Sequence, residues 1–249
     1  MGADGGLPLL ALHGVTGHGR RFGGLAERGL PELRWLAPDL RGHGGSTWDA
    51  PWSADQHIDD LLETMDGEGI ERCAVIGHSF GGLLGMALAS AAPERVERLV
   101  LLDPAVALPG DEMREVAEEV RIDEGWATRD EAREERLAGR PQHARGVVDD
   151  DLAVALVEGG DGRWRLNYSR SAVICAWSEM ARPAPSLAGW QGKLLLVPGT
   201  LSDYVGDELR ESLRRDLGDR FEERGVASDH MVYWDAFDEL VEVLRETLL

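Results

Sequence analysis

Short, almost unbroken apolar runs alternate with helix-spaced stripes along this 249-residue chain. Runs at Leu9–Leu12, Leu33–Ala37, Cys73–Ile76, Leu99–Leu102 and Leu194–Val197 predict strands buried on both faces, as in a parallel sheet covered by helices on either side. A sixth segment, Arg220–Arg224, is so charged that it is expected only at the sheet's edge. Between the runs, Ser53 followed by Gln56 reads as a capping box. Ile58, Leu61, Leu62 and Met65 then place one stripe toward the sheet, and Gly67 and Gly69 stop the helix. Near the C-terminus Asp235 is expected to cap a helix whose stripe is Phe237, Leu240, Val241, Leu244 and Leu248.

The rhythm breaks between Asp103 and Lys193. Residues 106–190 hold no buried parallel strand but several helical stripes, Met113, Val116, Ala117 and Val120 in one and Val173, Trp177 and Met180 in another. A structureless loop of that length is rare, so the segment is expected to be a helical cap, inserted into an α/β core made of 1–105 and 191–249. Its tryptophans, Trp126, Trp164, Trp177 and Trp190, are candidates for lining a pocket or for plain core. The acidic run from Glu115 to Gly125 reads as a solvated helix face.

Composition narrows the class. With 43% hydrophobic residues, two cysteines and 31 dispersed glycines, the chain is neither a disulfide scaffold nor a fibrous or disordered protein. A net charge of −20 repels phosphate backbones and argues against nucleic-acid or anionic-membrane partners. Cys73 and Cys175 suit a reducing cytosol, and no window approaches the ~20 apolar residues of a membrane span. The expectation is a soluble, cytoplasmic protein.

The strongest chemical signal is Gly77-His78-Ser79-Phe80-Gly81-Gly82, directly after a strand and before the apolar Leu83–Ala92 segment. A strand that turns sharply into a helix strains the backbone at the apex, and glycines two before and two after the serine remove side chains that would clash. The turn holds Ser79 at the carboxyl end of the sheet, where open α/β sheets bind ligands. A serine needs a base. Among seven histidines His230 is the best candidate, in a loop between the last strand and the last helix. His57 and His143 read as solvated, and His78 as packed or locally bonded. The base needs an acid, and two carboxylates end strands: Asp203 after Pro198-Gly199-Thr200-Leu201-Ser202, and Asp103 before Pro104. Asp203 is favoured, because its loop looks free to reach an imidazole. The oxyanion needs two amides, expected from Phe80 and from Val15 in the Gly14-bearing loop after the first strand. No histidine or cysteine spacing suits a metal, and no Gly-rich phosphate loop implies a cofactor.

Together, the His13-Gly14 loop, the turn from Pro38 to Ser46, the Gly77–Gly82 elbow, the acid loop and the Ser228–Asp235 histidine loop resemble the α/β-hydrolase superfamily. The resemblance implies Ser79 as nucleophile, His230 as base, Asp203 as acid, and Val15 and Phe80 as oxyanion amides. It makes Asp39–Ser46 a structural turn, with no catalytic role for Arg41 or His43. Family members usually begin with an antiparallel strand pair. Only eight residues precede Leu9, so the sheet is expected to have about six strands, with its Leu9–Leu12 side less covered and open to homodimer pairing. A serine nucleophile implies acyl chemistry on an ester, thioester or lactone. Carbon–carbon hydrolysis of a vinylogous diketone uses similar machinery, and a non-catalytic receptor on this scaffold is the reading outside enzymology.

Overall fold

The computed structural model describes residues 1–3 and 5–249. In chain order its elements are β1 (Pro8–Leu12), β2 (Arg34–Leu36), α1 (Ala54–Gly67), β3 (Cys73–His78), α2 (Phe80–Ala91) and β4 (Val96–Leu102). The segment expected as an insertion contains α3 (Gly110–Ile122), α4 (Arg129–Leu137), α5 (Arg145–Ala155), β5 (Leu156–Glu158), β6 (Trp164–Leu166) and α6 (Arg170–Met180). The chain ends with β7 (Lys193–Val197), α7 (Asp207–Leu217), β8 (Phe221–Glu223), α8 (Val232–Asp235) and α9 (Phe237–Leu248). Six strands form one all-parallel sheet in the order β2-β1-β3-β4-β7-β8. Helices cover both of its faces, as the resemblance implies.

Side chains alternate between two cores, which is why the strands read as continuous apolar runs. Leu10, Leu12, Leu99, Leu101, Leu194 and Leu196 face the core shared with α1, α2 and α7. Leu9, Ala11, Val100, Leu102, Leu195 and Val197 face the one shared with α8, α9 and the turns at residues 22–30. Ser53 Oγ accepts the Gln56 amide at 3.3 Å, as the capping box requires. The charged β8 sits at the edge.

Three expectations change. β1 is flanked by β2 and β3, so the open side expected at Leu9–Leu12 is instead the edge of β2. There, in place of an antiparallel strand pair, residues 1–3 make one antiparallel bridge: Trp35 donates to the Met1 carbonyl at 2.9 Å and Ala3 to that of Leu33 at 3.0 Å. Asp235 does not cap α9. It closes α8, and Ala236 stands at the N-cap. His57, expected in solvent, is buried, its ring edge-on to Phe80 with centroids 5.5 Å apart. Its place beside Ile58 on the apolar stripe is the reason: a neutral imidazole can share a core face.

The segment between β4 and β7 carries four helices, as its stripes predict, plus a short antiparallel hairpin, β5–β6, that three-residue strands leave invisible in the sequence. Val173, Ala176, Trp177 and Met180 of α6 are buried, while Glu115, Glu118 and Glu119 of α3 are exposed. Among the described residues, no helix is long and apolar enough to cross a membrane.

Candidate active site

Because every strand of the sheet is parallel, β1, β3, β4 and β7 deliver their following loops to the same edge. Ser79 lies between β3 and α2 with φ 55° and ψ −121°, a backbone conformation that non-glycine residues rarely adopt. The flanking glycines are required by space. A Cβ on Gly77 would lie 2.2 Å from the Gly81 carbonyl oxygen, and one on Gly81 would lie 2.0 Å from that of Leu12. The loop after β1 comes equally close, since a Cβ on Gly14 would meet the Ser79 Cβ at 2.9 Å. Ser79, Val15 and His230 line one cavity of about 200 Å³, with Trp177 and Tyr204 in its wall. The Phe80 amide opens α2 next to Ser79, at a helix terminus where N–H groups lack an intrahelical acceptor.

His230 projects into the cavity from the loop after β8. Its Nδ1 is 2.6 Å from Oδ2 of Asp103, and its ring stacks on Tyr204 with centroids 4.0 Å apart and planes 19° from parallel. This corrects the expectation for the acid. Asp103, not Asp203, faces the imidazole. Asp103 is fully buried at the end of β4 with φ 40°; Oδ1 accepts the Gly199 amide at 3.0 Å, and Oδ2 also accepts the Ser202 hydroxyl at 2.6 Å. The loop expected to supply the acid therefore supplies donors that hold another strand's acid. Asp203 itself is exposed.

Other histidines fix the frame. His78, expected to bond locally, reaches across the fold: its Nε2–H donates to the His230 carbonyl at 2.9 Å, and the two rings lie 4.7 Å apart. The Nε2 of His13 accepts the Leu40 amide at 2.9 Å, and that of His43 accepts the Thr16 amide at 3.2 Å. Both rings donate from Nδ1 to carbonyls, of Gly14 and Arg41 respectively, which fixes them as neutral tautomers. They tie the Val15 loop to the Asp39–Ser46 turn. Asp39 closes that turn by accepting the Gly19 and Gly45 amides at 2.8 and 2.9 Å, and Arg41 leaves the site to pair with Asp60 at 2.6 and 2.7 Å. His143 is exposed, as expected, and bonds to the Asp235 carbonyl.

Burial holds these core imidazoles neutral. It lowers His43 and His57 to about 4, and pushes His13 and His78 well below the usual histidine range, His78 further through the neighbouring His230. Each binds its proton more weakly folded than unfolded, where the pKa is about 6.5, so stability is complete above that pH and declines as pH falls from it toward 4. His43 and His57 should each remove about 1 kcal/mol per pH unit in that window. Urea midpoints measured from pH 7.5 to 4.5 should fall steadily below pH 6.5; a flat profile rejects this account.

Of the tryptophans proposed as lining, only Trp177 reaches the cavity. Trp126 and Trp164 bridge each other through their backbones, and Trp190 is buried with its indole N–H on the Val96 carbonyl at 2.8 Å. The sequence reading also missed Tyr204 and three arginines of the cavity wall, Arg21, Arg136 and Arg140. No local motif marks them, since Arg136, Arg140 and Tyr204 come from beyond β4, far along the chain from the elbow.

Comparison with known proteins bears on the fold and the family. The family described as alpha/beta hydrolase fold matches residues 8–237. The chain is similar to lipase LipV of Mycobacterium tuberculosis, 39% identical over 250 residues covering 99% of this chain and 95% of that protein. It is also similar to esterase YbfF of Escherichia coli, 27% identical over 97% of this chain and 92% of that one. A hydrolase structure from Pseudomonas aeruginosa superposes with a TM-score of 0.80 at 20% identity, covering 100% of this chain and 92% of the other. The chain belongs to the α/β-hydrolase fold family.

Proposed function

We propose that this enzyme hydrolyses small carboxylic esters through an acyl-enzyme on Ser79, with His230 as base and Asp103 as the acid that orients it. The observation that carries the reading is the buried Asp103 carboxylate 2.6 Å from Nδ1 of His230, whose ring lines one cavity with Ser79. The names of the full-length relatives, a lipase and an esterase, support ester bonds as the target.

Ser79 Oγ attacks the ester carbonyl and its proton passes to His230 Nε2. Asp103 holds the Nδ1–H tautomer and stabilises the imidazolium without taking the proton. The amides of Val15 and Phe80 receive the developing oxyanion. The imidazolium then protonates the leaving alcohol, and water activated by His230 releases the acid. A cavity of about 200 Å³ suits a short acyl group. Residues 106–190 act as a cap that selects substrates, since Trp177 and two of the wall arginines come from it while the reacting groups do not. The unpaired Cys73 and Cys175 fit a cytoplasmic setting.

A fluorophosphonate probe tests the reading. One adduct per chain, mapped by mass spectrometry to the peptide containing Ser79 and blocking turnover of 4-nitrophenyl acetate, is the expected result. Labelling elsewhere, or no labelling of an intact protein, removes the enzyme reading in favour of a non-catalytic binding module. Faster turnover of a ring-cleavage dienoate than of any ester would transfer the chemistry to carbon–carbon bonds.

A further inference from the structure

Ester hydrolysis leaves three guanidinium groups in the wall of the same cavity unexplained: Arg21, Arg136 and Arg140. In a chain of net charge −20, a reaction cavity walled by arginines does not follow from composition.

Arg21 is accounted for. Its Nε and one Nη hold Asp151 at 2.6 and 3.1 Å, and His18 Nε2 takes the same carboxylate at 2.9 Å. Among the described residues, Arg136, at the end of α4, has only this shared carboxylate as an ion-pair partner, 3.8 Å away. Its Nε is buried without a hydrogen-bond partner. Burial, with Arg21 beside it, pushes Arg136 down to about 10, so it stays charged at neutral pH. Arg140 follows one turn later, its Nε donating to the Arg136 carbonyl at 3.0 Å. Its Nη1 stands 3.6 Å from Asp235, a carboxyl that burial pushes up. The acid that does line this cavity, Asp229, is exposed, and its carboxylate accepts the His230 amide at 2.8 Å. A guanidinium drawn out of water with its counter-charge already spent is costly unless something anionic completes it. A carboxylate matches a guanidinium's paired donors better than a neutral acyl chain can.

We infer that Arg136 and Arg140 form an anion subsite beside Ser79, and that the substrates are short esters bearing a free carboxylate. This rests on the reading of Ser79 as the nucleophile of an ester hydrolase. The cap then selects by charge as well as by size, and the reacting carbonyl is positioned by an ion pair made at its far end.

Two matched pairs of esters test it. One pair carries the charge on the acyl side, mono-4-nitrophenyl glutarate against its methyl ester. The other carries it on the leaving group, 4-acetoxybenzoate against methyl 4-acetoxybenzoate. The wild-type enzyme should favour the anionic member of at least one pair by roughly tenfold or more in kcat/KM, with the advantage shrinking as salt is raised. Arg136→Gln and Arg140→Gln should each cut that anionic-to-neutral ratio by about tenfold, mainly through KM. Turnover of the neutral esters with no anionic preference in either pair overturns the subsite and leaves the hydrolase reading standing. So does a ratio unchanged in both variants. No turnover of any of the four, with no probe adduct at Ser79, overturns both. Should a variant fail to fold, inhibition of the wild-type enzyme decides: glutarate should inhibit methyl 4-acetoxybenzoate turnover at least tenfold more strongly than glutaramide, and equal inhibition overturns the subsite.

Discussion

Replacing Ser79 by alanine is expected to lower ester turnover by about 10⁴-fold or more, while the protein unfolds at nearly the same denaturant concentration as the wild type. The loss is large because the hydroxyl is the nucleophile in the mechanism proposed above, and no other hydroxyl shares its position at the turn. The fold should tolerate the change because the serine contributes backbone, not side chain, to the elbow. Its carbonyl accepts the Gly82 amide at 2.8 Å and the Ala105 amide at 3.2 Å, its amide donates to Leu102 at 3.2 Å, and its side chain makes no capping bond to α2. Alanine has the same Cβ and meets the same strain at φ 55°. The residue left over is what the two oxyanion amides and substrate binding supply without a nucleophile. Turnover and urea unfolding of purified Ser79→Ala measure both halves. Retention of more than about one per cent of the wild-type rate would falsify the assignment of the nucleophile.

The elbow was legible because its requirements are local. A strand, a strained apex and two glycines in van der Waals contact with neighbouring backbone leave a short pattern that composition alone does not produce. The strand set was legible for a related reason: each interior strand feeds two cores at once, so Leu99 to Leu102 or Leu194 to Val197 must be apolar at every position. What escaped was decided across the fold. The burial of His57 depends on Phe80 lying beneath α1, and the grip of His78 on His230 spans 152 residues. Arg136 and Arg140 are unremarkable members of an Arg-rich segment until the fold brings them into one cavity with Ser79. The hairpin β5–β6 is too short for alternation to show, with Val157 and Glu158 both exposed. The Asp39–Ser46 turn stood between these cases. It was recognisable as a unit, but its service to the Val15 loop, through His43 and the Thr16 amide, required the structure.

Asp103→Asn is expected to cost roughly 10⁴ in kcat, while Asp203→Asn stays within about twofold of the wild type. The sequence offered both carboxylates at strand ends, and the freer loop of Asp203 favoured it over Asp103, which Pro104 follows directly. Rigidity is instead what the geometry uses. The Asp103 amide extends the sheet ladder by donating to the Val197 carbonyl at 2.9 Å, and Pro104 packs so close to the elbow that a Cβ on Gly82 would lie 2.7 Å from its Cβ. The carboxylate is thereby fixed beside the loop whose Gly199 amide and Ser202 hydroxyl satisfy it, leaving Oδ2 aimed at His230 Nδ1. An asparagine of the same shape keeps the volume but offers an amide with one acceptor where three donors converge. It either turns its NH₂ toward the imidazole, forcing the tautomer that cannot take the serine proton, or turns it onto the Gly199 amide. The second arrangement leaves a buried donor unmet, at about 1–3 kcal/mol of stability. Asp203, exposed, has no such role in the site. Measuring kcat and the urea midpoint for both variants on one ester separates catalysis from folding. An active Asp103→Asn beside an inactive, folded Asp203→Asn would show that the loop after β7 rearranges in solution to present its own carboxylate, and would return the acid to the residue the sequence favoured.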